Sequence, residues 1–315
     1  MKNLISKQNI LLYLKGVAMG SADLMPGVSG GTIALILGVY KELIESIESI
    51  NLKSLRTIKK NGFRVFWNMI NGDFLLVLFL GVISAIISLS FVIDWLINEY
   101  PIPLWSFFLG LLLASIFILK KELRRWNVFN ILLVIFSANV SFFLIQMTPI
   151  NKEISVIYLF ISGFLGIIAM ILPGISGAYI LIIMGTYSTV IGLIKDLLIS
   201  LTNMQMELMI PTFTKLSIFV LGIVLGLRIF ASVLKWLFDK EHDKTMAVLI
   251  GLMIGALNKI WPWQQKYELV MANNTKILNK PISPFDYPAN PQLTLAIIFF
   301  VVGVCLVYIL DKRKF

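Results

Sequence analysis

Two short elements concentrate the chemistry this chain could perform: Pro26-Gly27-Val28-Ser29-Gly30 and Pro173-Gly174-Ile175-Ser176-Gly177. In each, a proline and a glycine break one helix, and a serine stands immediately before a new apolar run, the position from which a side-chain oxygen accepts a first-turn N–H. Gly30, Gly31 and Gly177 let other backbone or a ligand come close, while Thr32 and Tyr179 place hydroxyls beside the same turns. N–H groups at the positive end of a helix favour an anion, so a phosphate is the ligand these residue types suggest. The competing reading is structural: glycine and serine also allow helices to pack closely.

The pattern Gly-x-Ser-Gly also occurs in intramembrane serine proteases, where a histidine must activate the serine. The one histidine, His242, lies in the charged stretch Asp239-Lys240-Glu241-His242-Asp243-Lys244, which the predicted topology keeps away from both serines. No His-Glu-x-x-His motif or P-loop is present, and a single cysteine, Cys305, forms no intrachain disulfide. A histidine-activated serine, a resident metal and direct use of ATP are therefore not expected, and neither is an organic cofactor.

Charges inside apolar runs are the next clue, because one at the centre of a membrane helix costs about 2.5 to 3.5 kcal/mol. Arg228, near the middle of an apolar run from 216 to 237, could hold a phosphate through its planar fork. It could equally pair with Asp23. Asp23 is also the natural place for a coupling proton or sodium ion, and Lys15 either joins the phosphate site or reaches to the membrane surface.

The elements that must position these residues are membrane helices. The chain of 315 residues is 58% hydrophobic and 14% charged, far from the balance of a water-soluble domain. Its mean hydropathy is +0.88. Apolar runs over 74–93, 104–119, 128–147, 216–237 and 293–310 approach the roughly 20 residues that span a bilayer. Their continuous patterning selects helices rather than a barrel. The net charge of +10 sits in loops at helix ends, which reports topology and not nucleic-acid binding.

Sliding the chain along itself reveals a repeat. Pro26, Gly27, Ser29, Gly30, Gly38 and Tyr40 match Pro173, Gly174, Ser176, Gly177, Gly185 and Tyr187; after a small change of offset, Gly81, Trp95 and Gly110 match Gly222, Trp236 and Gly251. The fold expected is all-α and membrane-integral, with two inverted-topology repeats over 1–150 and 151–315. Each repeat is a broken helical hairpin, over 10–46 or 154–194, followed by three transmembrane helices; the hairpins are read as re-entrant, with a fully spanning pair of arms as the alternative. Hairpin arms are expected over 10–25 and 29–46, then 154–172 and 176–194. A basic amphipathic segment over 47–72 is expected on the membrane surface. The Lys and Arg distribution puts both termini in the cytoplasm; only the loop over 261–292, with Lys266, Lys276 and Lys280, strains that rule. Each half crosses an odd number of times, so the second copy is upside down. Such inverted, broken-helix repeats recur in transporters that alternate access around a midplane site.

The stretch Gly16-Val-Ala-Met-Gly-Ser-Ala-Asp-Leu-Met-Pro-Gly-Val-Ser-Gly-Gly-Thr-Ile-Ala34, with Leu172-Pro-Gly-Ile-Ser-Gly-Ala-Tyr179, closely resembles the bacterial polyprenyl-phosphate transporters of the PopT type. The resemblance covers essentially the whole chain. It implies a multi-pass protein of the bacterial cytoplasmic membrane that moves undecaprenyl phosphate from the outer to the inner leaflet, recycling the carrier lipid for peptidoglycan and other envelope polymers. Its partners would be that lipid and the surrounding membrane lipids. Two other readings stay open from the residues: an ion-coupled carrier of a small soluble anion, and an intramembrane lipid-phosphate or peptide hydrolase.

Overall fold

The computed structural model describes residues 7–24, 29–147, 154–202, 206–271 and 274–312. Pro26 and Gly27, the expected first hairpin break, lie outside them. The chain begins with α1 (Lys7–Asp23), α2 (Gly30–Ile36) and α3 (Tyr40–Ser49), followed by α4 (Leu52–Asn61) and α5 (Phe63–Met69). Three long helices come next: α6 (Gly72–Glu99), α7 (Pro101–Leu119) and α8 (Val128–Gln146). The second half runs α9 (Val156–Ile171), α10 (Gly177–Ile183), α11 (Tyr187–Thr202), α12 (Met206–Lys240), α13 (His242–Ile260) and α14 (Leu293–Lys312).

Among the described residues, four helices are long and apolar enough to cross a membrane, five if α10 and α11 count as one bent span. That makes the protein a nearly all-helical, multi-pass membrane protein. Burial explains the layout. α7 and α13 pack against each other at the centre, and most of their side chains are buried. α6, α8, α12 and α14 surround them and turn large apolar groups outward, among them Phe91 at 82% and Phe136 at 68% exposure. Such exposure would be costly in water and is neutral against lipid.

Partners match between the halves. α1 packs on α6 as α9 packs on α12, and α7 packs on α14 as α13 packs on α8. Where α1 crosses α6, a Cβ on Gly16 or Gly81 would strike the carbonyl of Leu78 or Tyr13; where α9 crosses α12, a Cβ on Gly163 or Gly222 would strike that of Phe219 or Phe160. Only glycine permits these contacts.

Two expectations are corrected. The second hairpin arms are not continuous helices, because each is broken a second time, at Gly38 and Gly185. Gly38 has φ +69°, its N–H bonds to Leu35 O, and Val39 N–H bonds back to Ala34 O. Gly185 has φ +68° and repeats the pattern with Ile182 O and Thr186 N–H to Leu181 O. Both are glycine helix stops with paired closing bonds, and α10 meets α11 at 103°. The segment over 47–72 consists of the end of α3 plus α4 and α5. Asn51 and Ser54 close a capping box at the start of α4, and Gly62 ends it. Finally, the fold is not purely helical. The loop after α13 forms an antiparallel hairpin, β1 (Gln264–Met271) with β2 (Asn274–Pro281). Trp263 is buried against Ile102 and Ala296; Trp261 Nε1 donates to Ile282 O and Trp263 Nε1 to Pro291 O.

Candidate functional site

Ser29, Thr32 and Tyr40 of the first repeat meet the second proline-glycine corner. α9 ends at Ile171, leaving its last carbonyls without helical partners. The first repeat supplies them: Ser29 Oγ donates to Met170 O at 3.1 Å, and Tyr40 Oη donates to Ile171 O at 3.1 Å. In return, Gly174 N–H donates to Thr32 Oγ1 at 3.0 Å. Ser29 and Thr32 are both 1% exposed, so these bonds are made away from solvent. Gly31 lies so near Ile171 O that a Cβ would clash, which is why glycine stands there. Pro173 is buried, and Gly174, at φ +84°, rests on the backbone of Leu252 and Met253 in α13.

The corners differ in what they leave open. At the first, Gly30 N–H donates to Asp23 Oδ1 at 2.7 Å and Gly31 N–H to Ser29 Oγ at 3.1 Å. The start of α2 is therefore already closed by a carboxylate of the chain itself. Lys15 Nζ donates to Leu37 O at 2.9 Å, at the other end of α2. Two residues of α1 thus match the charge at each end of the short helix beside it. Asp23 and Lys15 clamp α2, and the free N–H groups expected at this corner are taken.

At the second corner Ser176 occupies the N-cap position but its side chain makes no cap bond. The N–H groups of Gly177, Ala178 and Tyr179 have no hydrogen-bond partner among the described residues. Tyr179 Oη donates to Ile145 O at the end of α8, and the ammonium of Lys259 lies 5.2 Å from the centre of its ring. Lys259 belongs to this patch although little in the sequence marks it. Its only sequence signal was a cation one residue from the end of an apolar stretch.

Arg228 is elsewhere. Its NH1 lies 2.8 Å from Glu48 O, 2.9 Å from Ser232 Oγ and 3.6 Å from Glu48 Oε1, and Lys235 Nζ meets Glu48 Oε2 at 3.2 Å. The guanidinium is paired with the end of α3 rather than with Asp23. His242 is also remote from the serines' bonding partners; its Nδ1 faces Asp243 at 3.5 Å. The Ser29 hydroxyl donates toward the carbonyls of Met170 and Leu172 rather than to a base.

Below the second corner a cavity of about 610 Å³ opens between α8, α12 and α13. Leu172 and Ile175 of the corner form one end, Leu133, Phe136, Phe230 and Leu249 line the body, and Glu241 and Lys244 stand at the other end. The walls are almost wholly apolar. Lys259 is seven residues beyond Leu252 on α13, or roughly 10 Å at 1.5 Å per residue. The corner thus separates an apolar groove from a cationic, N–H-rich patch.

Residues 19–278 match the family described as undecaprenyl phosphate translocase-like. The chain is 38% identical over 307 residues to a polyprenyl-phosphate transporter of Vibrio cholerae, covering 95% of both chains. It is 30% identical over 261 residues to a polyprenyl-phosphate transporter of Staphylococcus aureus, covering 79% of this chain and 85% of that one. No solved structure matches. Matched over residues 19–278 and 38% identical to a relative over 95% of its length, the chain belongs to the undecaprenyl phosphate translocase-like family.

Proposed function

We propose that this protein carries undecaprenyl phosphate, or a closely related polyprenyl phosphate, across the bacterial cytoplasmic membrane, returning the carrier lipid to the leaflet where envelope polymers such as peptidoglycan are begun. The observation that carries the reading is the apolar groove ending on the second corner: Leu172 and Ile175 line the groove, and Ser176 and Gly177 follow at once in the chain. An amphiphile with one anionic end and a long hydrocarbon tail fits that juxtaposition. A small soluble anion would gain nothing from walls of this kind.

In the mechanism, the isoprenoid tail stays in the groove or in lipid throughout, and the protein lowers the barrier for the phosphate alone. The open N–H groups of Gly177, Ala178 and Tyr179 and the ammonium of Lys259 replace water around it. The Asp23 carboxylate, bonded to Gly30 N–H, is where a coupling proton or sodium ion would act. Alternation rests on the inverted-repeat reading, which the matched helix partners and matched glycine contacts of the two halves support. The units are 1–150 and 151–315, each a re-entrant hairpin plus three helices, with both termini in the cytoplasm as the Lys and Arg distribution requires.

The test is leaflet exchange of a polyprenyl phosphate in liposomes containing purified protein, read by an impermeant phosphate reagent. The wild type should accelerate exchange of the phosphate but not of the neutral polyprenol's tail-matched phospholipid analogues. Lys259→Met should slow it through the head site, and Val248→Trp through the groove. Exchange equal to that of protein-free liposomes would overturn the function, and exchange unmoved by both variants would overturn the site.

A further inference from the structure

The two halves match in their main helix partners but differ around the broken arms, most strongly at α12. α12 holds both broken arms, packing on α11 of its own half and on α3 of the other. Its counterpart α6 touches α3 only marginally, and α11 is not among the elements packed on it. Apolar packing, with Tyr40 edge-on to Phe238, and charge both hold α3 on α12: Glu48, ten residues after Gly38, receives Arg228 and Lys235, the latter thirteen residues after Gly222.

Counting the same steps in the other half gives a result that no single helix displays. Ten residues after Gly185 stands Lys195, and thirteen after Gly81 stands Asp94. The acid on the arm has become a base, and the base on the long helix has become an acid. Neither Lys195 nor Asp94 has an ion-pair partner among the described residues, and both are exposed. The position corresponding to Arg228 is Ile87, 69% exposed. The matching positions thus carry charges of opposite polarity to those of the Glu48 cluster, unpaired among the described residues.

We infer that Asp94 on α6 and Lys195 on α11 form the alternate latch of a two-state cycle, made when the Glu48 cluster with Arg228 and Lys235 breaks. The inference rests on the inverted-repeat transport reading above. It assigns these residues a positioning role: they touch no substrate and decide which long helix holds the arms. One pair is released as the other forms, so the charges lost at one face are regained at the other and the two states stay close in energy. The inequality is also built in. The Glu48 side has two cations and the Lys195 side one carboxylate, which favours the state described here. A ligand shifts such an equilibrium only by its differential affinity for the two states.

The test uses the full chain in liposomes with Cys305→Ser as background. Cysteines at Asp94 and Lys195 should crosslink in a minor fraction, and adding Glu48→Gln should raise that fraction severalfold by releasing the other latch. A purely structural Glu48 would leave the distant crosslink unchanged. Asp94→Lys should slow lipid exchange severalfold, and the combination Asp94→Lys with Lys195→Asp should restore it. Absence of the crosslink with and without Glu48→Gln, or no restoration by the swap while wild type exchanges lipid, would overturn the latch and leave the transport reading intact. Crosslinking that responds to Glu48→Gln in a protein that exchanges no polyprenyl phosphate would uphold the latch and overturn the substrate.

Discussion

Replacing Asp23 measures how firmly the first hairpin is held. Its carboxylate accepts the Gly30 N–H at 2.7 Å, at the start of a helix only seven residues long. A hydrogen bond to a charged group contributes about 1.5 to 3 kcal/mol, against about 0.5 to 1.5 for a neutral one. Asp23→Asn keeps a carbonyl acceptor and removes the charge, so it should destabilise by about 1 to 1.5 kcal/mol. Asp23→Ala removes the acceptor as well and leaves Gly30 N–H unpaired, for a loss of about 2 to 3 kcal/mol. Lys15→Met, at the far end of the same helix, should lose less, about 0.3 to 1 kcal/mol, because its ammonium acts on the Leu37 carbonyl as a helix-end charge. Reversible denaturant titration in mixed micelles gives the three values. The reasoning fails if Asn costs as much as Ala, or if Ala lies within about 0.5 kcal/mol of wild type.

Thr32→Val removes the oxygen that accepts Gly174 N–H between the corners and should cost about 1 to 3 kcal/mol in the same titration, since the N–H is left buried and unpaired. Gly222→Val should force α9 off α12 by setting side-chain atoms against Phe160 O, destabilising by about 1 to 3 kcal/mol; Gly192→Val, where a Cβ meets nothing within 4 Å, is the control that should stay near wild type. Gly185→Ala places a Cβ at φ +68° and should cost about 1 to 2 kcal/mol, whereas Gly185→Asn should cost less, as unfolding midpoints would show.

Much of this was legible from the residues, and the remainder was hidden for identifiable reasons. Apolar run length gave the long helices, because in lipid a run of that length has few other options. Ser29 as a cap was readable from its place after Pro-Gly. Gly38 and Gly185 were visible as matched letters, yet their role as helix stops was not, since a glycine in an apolar stretch serves equally well as a packing contact. Asp23 was seen as a lone intramembrane acid; that its partner is a backbone N–H seven residues on depends on how α1 and α2 fold together. Arg228 was assigned to the phosphate because Glu48, its partner, sits 180 residues away in a segment that read as membrane surface. The β-hairpin escaped notice because its strands carry lysines and a glutamate among few β-branched residues.

The bare crossings at Gly16 with Gly81 and at Gly163 with Gly222 carry a mechanical corollary. With main chain resting on main chain and no side chains between to act as bearings, neither helix of a pair can slide or roll without collision. Each pair must travel as a single stiff plank, and deformation is confined to the seams where one plank adjoins the next. Spin labels placed on α1 and α6 should hold one separation through the whole cycle, while labels spanning α6 and α11 should report two.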